Sequence, residues 1–286
     1  MENKILNKCI FGAILLLLAA CTQDELAEQA GILPEGKYPL QIDSVSITAD
    51  VDQQPWSAGA PQTRVRENDD RNSSRWNWNE TIGVQIEGST KSGSYYLYGD
   101  DSLTPIIPVY WENTKAHKVR AWFPADGKVA LDNQTTDLAY ALYAKTAEAV
   151  DYKAGEISLS FNHKLAKVRV KLQGDQAGNI TDVKIKTYTS CTLNSDGTLT
   201  AGDTEDFIPM VKTTYEGKPC WEANVVPVSD EMPGHKIERV MVKVNGSYKE
   251  IPLSTPLVPL EAMMNTIMLT AGNLTPANLI TITDDM

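Results

Sequence analysis

Cys21 is the residue whose neighbours most restrict its chemistry, because it directly follows Leu18-Ala19-Ala20. Lys4 and Lys8 lead into an uncharged run from Cys9 to Ala20 that includes Leu15, Leu16, Leu17 and Leu18. A positive start, a short apolar run and a small-residue cleavage site are the order of an export signal. The run is well short of the ~20 residues that span a bilayer, so a retained transmembrane helix is not expected. A cysteine after Leu-Ala-Ala resembles the bacterial lipobox, in which the thiol is acylated and the Cys becomes the mature N-terminus. The alternative is an ordinary secretory signal with a chance Cys. Residues 1–20 therefore read as a lipoprotein signal peptide, with Cys21 as the lipidation site.

The other reactive side chains form no constellation in the sequence. His117, His163 and His235 are scattered, and none stands at metal-ligand spacing from another His or Cys. No Gly-x-Ser-x-Gly, His-Glu-x-x-His, phosphate loop or dinucleotide fingerprint is present, so no catalytic residue, cofactor or metal is expected. Phe161-Asn162-His163-Lys164 places an imidazole between two strands, as a buried hydrogen-bonding group or as a base with no marked nucleophile. Asn194, Asp196 and Gly197, with Asp203, Glu205 and Asp206 nearby, fail the EF-hand spacing and read as a hairpin turn. Trp76, Trp78, Trp111 and Trp122 are either sugar-stacking platforms or core residues, and the alternation Trp76-Asn77-Trp78-Asn79 favours packing. Once Cys9 leaves with the signal and Cys21 carries lipid, Cys191 and Cys220 remain, separated by 28 residues. They are either two separate buried thiols or a disulfide worth ~3 kcal/mol in the chain-entropy model.

Composition narrows the partners. The chain of 286 residues carries 26 Lys and Arg against 37 Asp and Glu. Removing Lys4, Lys8 and Glu2 with the signal leaves a side-chain balance of −12. That balance opposes binding to a phosphate backbone, which needs clustered cations, so nucleic acid is excluded as a partner. It also opposes adhesion to anionic lipid by charge, leaving acyl chains as the membrane attachment.

These groups must be positioned by β-structure. Residues 21–37 are polar and turn-prone, as a flexible tether would be. Beyond them, period-two alternation marks a strand at Ser44–Val51, with Val45, Ile47, Ala49 and Val51 on one face. Further strands are expected at 82–87, 94–98, 119–123, 156–161, 167–172, 180–188, 221–226, 237–244, 248–253, 266–269 and 279–283. Asn245-Gly246 between two alternating runs is a hairpin signal. Only 137–149 reads as helical. A long polar stretch, 52–75, holds Arg64-Val65-Arg66 and interrupts the first two strands. About a dozen short strands predict an all-β fold of sandwiches. A soft point at 145–155 divides an N-terminal domain (38–155) from a C-terminal one (156–286), with any boundary between about 150 and 178 compatible with the pattern.

Several segments together resemble the fimbrillin-like (minor fimbrillin-like) lipoproteins of Bacteroidales, which include type V pilus subunits. They are the lipobox, the early strand followed by Thr63-Arg64, Trp78-Asn79-Glu80-Thr81-Ile82-Gly83-Val84 and Ala121-Trp122-Phe123-Pro124. Phe161-Asn162-His163-Lys164-Leu165-Ala166-Lys167-Val168 and Thr266-Ile267-Met268-Leu269 complete the set. The resemblance covers about 45–283 and implies two tandem transthyretin-like antiparallel β-sandwiches and a non-enzymatic role. It further implies a lipid-anchored outer-membrane precursor, displayed at the cell surface or in a fimbrium, whose first strand is cut off after a basic residue. A strand from another fimbrial subunit then fills the groove, and a host or bacterial surface ligand is a further partner. Carried onto this chain, the expected processing residues are Arg64 and Arg66. The candidate donor strand is Leu279, Ile280, Thr281, Ile282 and Thr283, whose other reading is an ordinary edge strand. A monomeric glycan-binding or adhesin lipoprotein is the competing function, resting on Trp76, Trp111 or Trp122.

Overall fold

Nearly every ordered segment is extended, as the period-two alternation requires. The computed structural model describes residues 31–48, 66–67, 74–76, 79–98, 103–174, 177–229, 234–271 and 282–284. Cys21, Arg64, Trp78, Leu279, Ile280 and Thr281 lie outside the described residues. The first part of the chain contributes β1 (Gln41–Thr48), β2 (Arg66–Glu67), β3 (Ser74–Arg75), β4 (Glu80–Ile86) and β5 (Ser92–Leu97). It continues with β6 (Leu103–Ile107), β7 (Val119–Phe123), β8 (Lys128–Ala130), β9 (Leu142–Lys145) and β10 (Glu156–His163). The second part supplies β11 (Ala166–Gln173), β12 (Ile180–Tyr188), β13 (Ser190–Leu193), β14 (Leu199–Ala201), β15 (Glu205–Pro209) and β16 (Val211–Tyr215). It ends with β17 (Lys218–Val225), β18 (Ile237–Val244), β19 (Ser247–Leu257), β20 (Met264–Ala271) and β21 (Ile282–Asp284). Among the described residues the sole helical element is a 3-10 turn, Ala177–Asn179. The helix expected over 137–149 is instead β9 and its flanks. Leu142 and Ala144 alternate inward there, and pairing to β7 and β10 outweighs the weak local helical preference.

Seven strands form the first sheet in the order β1-β10-β9-β7-β4-β5-β6, so β1 and β6 are its two edges. Five form another, β16-β17-β11-β20-β21, which packs with the four-stranded sheet β15-β12-β18-β19. β8 leaves the first half to pair with β13 beside β14. β10 belongs to the first sheet and β11 to the second, so the sheets change at Lys164–Leu165. Asn245 and Gly246 both adopt positive φ (48° and 83°) between β18 and β19, as a type I′ hairpin demands.

Two hydrophobic clusters result. One gathers Val45, Ile47, Trp76, Ile82, Val84, Leu142, Leu159 and Phe161 around the first sheet. The other gathers Val168, Val170, Val183, Ile185, Trp221, Val240 and Ile267 between the second and third. The halves interlock: Trp122 of β7 belongs to the second cluster, and Val211 of β16 to the first. Gly83 has no Cβ because one there would come within 2.2 Å of the Trp122 ring. β11 is buried on both faces, Val168 and Val170 on one, Lys167 and Arg169 on the other. Those two cations meet Glu222 of β17, Arg169 Nε at 2.7 Å and Lys167 Nζ at 3.4 Å from its carboxylate oxygens. The Arg169 guanidinium also lies 3.6 Å from the Tyr215 ring centroid.

Candidate functional site: the first strand and the edge that receives it

β1 is held as a guest on a sheet edge. It pairs parallel to β10, with Val45 opposite Leu159 and Ile47 opposite Phe161. Those side chains enter the first core, with Val45 at 8% and Ile47 at 6% exposure. On the outer face Ser44 Oγ donates to Ser158 Oγ at 2.9 Å, and Ser46 and Ser160 hydroxyls lie 3.1 Å apart. A parallel neighbour cannot be joined by a tight hairpin, so β1 reaches its place through chain that runs elsewhere.

The lead-in to β1 is equally engaged. Residues 31–37, read from composition as part of a polar tether, are laid antiparallel against 109–114 from Gly31 onward. Leu33 N donates to Glu112 O, Leu40 N to Val109 O and Trp111 N to Tyr38 O. Tyr95 Oη donates to Leu40 O at 3.0 Å. Leu33 and Leu40 are buried, which the polar average of the segment concealed. This packing leaves a cleft of about 470 Å³ bounded by Leu33, Val109, Trp111 and the ion pair of Lys91 with Glu35. Each of Leu33, Leu40, Val45 and Ile47 contributes about 1.5–3 kcal/mol by burial. Residues 31–48 therefore complete the first core while lying at its margin.

The opposite edge is guarded. β6 is short, contains Pro105, which has no N–H to offer, and is irregular where Ser94 gives way to Tyr95 on its partner β5. Its Ile106 and Ile107 are nonetheless 57% exposed.

Of the other residues singled out in the sequence, Arg66 lies in extended backbone, β2 pairing Arg66 with Arg75 of β3. Ile282 and Thr283 of the candidate donor strand sit in β21, antiparallel to Ala271 and Thr270 of β20, as an edge strand of the second part. Cys191 and Cys220 are both buried as free thiols, on β13 and β17. Burial pushes the Cys191 thiol up to about 12, which makes it unreactive. Trp76, Trp111 and Trp122 are at 2%, 4% and 7% exposure, so they are core residues, as packing was favoured for Trp76, and the alternative of a sugar platform on them is overturned. Trp76 meets Phe161 and Phe123 edge to face, and Trp122 Nε1 donates to Ala125 O.

His163 is buried, and desolvation, then the Lys167 charge, holds it down to about 3. It is a neutral core imidazole beside Tyr140. His235 comes within 3.3 Å of Thr187 Oγ1 and 4.0 Å of Glu205, a relay of the kind that activates hydroxyls. Thr187 is only 1% exposed, so this hydroxyl has no route to a substrate. Asp196 accepts from Thr198 N and Oγ1 across the Gly197 turn, as a hairpin residue. Among the described residues no cluster of His, Cys, Asp and Glu is arranged to hold a metal.

Comparison places this geometry among known proteins. A family model described as fimbrillin-like matches residues 63–283. A candidate cell adhesion protein from Bacteroides ovatus superposes with a TM-score of 0.56 at 14% identity, over 86% of this chain and 96% of that one. A candidate cell adhesion protein from Bacteroides uniformis gives 0.52 at 17% identity, over 79% and 94%. At these identities the likeness is one of fold. Among curated protein sequences none matches.

Proposed function

The chain belongs to the fimbrillin-like family, and from that premise we propose that it is a surface lipoprotein, a structural subunit of a fimbria-like fibre. In this reading Cys21 anchors the precursor to the outer membrane, and a trypsin-like protease cuts after Arg64 or Arg66. The excised piece includes β1 and its lead-in. A strand from another subunit, of the type of Leu279–Thr283, then pairs with β10 and fills the places of Val45 and Ile47. Main-chain hydrogen bonds give affinity and alternate side chains give fit. Because donor and acceptor are different surfaces, the contact does not close and propagates as a filament.

The observation that carries the reading is the position of β1. It is an edge strand in parallel pairing, its apolar side chains complete a core, and both processing candidates follow it in the chain. Removing an edge strand leaves β10 with an unpaired row of backbone groups and the rest of the sheet intact.

The double variant Arg64→Ala, Arg66→Ala tests this. On surface material the full-length precursor should accumulate and the ladder of oligomers on mild denaturing gels should fade. An unchanged ladder overturns cleavage at these residues. The monomeric adhesin reading predicts no ladder in either protein.

A further inference from the structure

An exposed aromatic and cationic patch lies on the sheet β15-β12-β18-β19, far in sequence from the first strand. Its inner residues Val183, Ile185, Val240 and Val242 are fully buried, so Asp182, Lys184, Arg239, Met241, Lys243 and Tyr248 face outward. Asp182 is opposite Lys243, and Lys243 opposite Tyr248, so these three form one row across three strands. Tyr248 Oη donates to Asp182 Oδ2 at 2.5 Å. Adjacent strands are about 4.8 Å apart, so a hydroxyl that reaches two strands over requires the ring to lie along the sheet, across β18. The ring remains 45% exposed. Lys184 Nζ and Lys243 Nζ stand 4.9 and 5.3 Å from its centroid.

These two ammonium groups stand over one exposed ring. Lys91, Lys145, Lys164 and Lys171 each rest on a glutamate. Lys184 and Lys243 form no salt bridge among the described residues, while Arg239 is taken up by Glu250. In a chain of net charge −11, Lys184 and Lys243 outnumber Asp182, the carboxylate of their row that Tyr248 engages, so the surroundings of this exposed ring keep a positive balance.

We infer that this face binds an acidic polysaccharide, a sugar ring stacking its C–H face on Tyr248 while carboxylate or sulfate groups meet Lys184 and Lys243. Anionic charge is the complement of the two ammonium groups, and the flat ring suits a pyranose better than a side chain that needs a pocket. The inference stands apart from the fate of β1.

The test is affinity electrophoresis and calorimetry of the purified full-length protein with polygalacturonate, chondroitin sulfate and neutral dextran. Binding to either or both acidic polymers, absent with dextran and weakened severalfold between 50 and 300 mM salt, is expected. The carboxylate and sulfate arms tell which group is read. Tyr248→Ala should weaken binding about tenfold, and Lys184→Gln with Lys243→Gln should also flatten the salt dependence, both with unchanged thermal midpoints. Failure to bind either acidic polymer, equal binding to dextran, or full affinity in Tyr248→Ala overturns the inference. So does a dimerisation lost in Tyr248→Ala without polysaccharide binding, which would give the face to a second copy.

Discussion

At the scale of single residues, burial decides what each reactive group does. His163 has the position of a base but the environment of a core residue, and its folded value near 3 lies below the ordinary 6.5. The unfolded chain therefore takes up the proton first as pH falls. The contribution of a neutral His163 to stability is complete above about pH 6.5 and is lost progressively down to about pH 3. Urea midpoints measured from pH 7.5 to 4.5 should fall more steeply in the wild type than in His163→Gln, and parallel curves would contradict this. Sequence gave His163 its structural reading through the missing nucleophile. Alternation favoured packing for Trp76, which is buried, but offered nothing of the kind for Trp111 and Trp122. Tyr248 went unnoticed because its partners Asp182 and Lys243 come from two other strands, a proximity made only by register.

Elements were legible where one face is buried. Val119–Phe123, Ile180–Tyr188 and Ile237–Val244 are strands with the bounds their alternation marked. β6, β8 and β13 to β16 escaped notice because they are short or exposed, with too few inward positions to make a period. Residues 31–40 were hidden by polarity, since Leu33 and Leu40 are spaced too far apart to read as a strand. The hold of β1 has a direct check. Ile47→Asp sets a charge at a 6% exposed position and should lower stability by about 3 kcal/mol or more, measured by urea unfolding. Ser46→Asp, on the exposed face, should cost under about 1 kcal/mol. Equal effects would mean that β1 is not seated as described.

For the whole molecule, alternation and the count of short strands marked the all-β class, but the coupling between its halves was not readable. Trp122 is borrowed by the second core and Val211 by the first. Gln134 spans to β17, donating to Asn224 O at 2.8 Å and accepting from Asn224 N at 2.9 Å. Shared core residues leave neither half a complete core of its own, so unfolding should be one event. Tryptophan fluorescence and far-ultraviolet circular dichroism should give coincident urea transitions; two separated transitions would refute the coupling. The two ends of the seven-stranded sheet lead to a last consequence. One is occupied by β1, which only side-chain packing and parallel hydrogen bonds retain, while the other is β6, spoiled for pairing by Pro105 and its irregular register. A sheet with a single usable margin admits one neighbour through it. Assembly through that sheet would therefore be vectorial and unbranched, each unit adding length and none starting a fork.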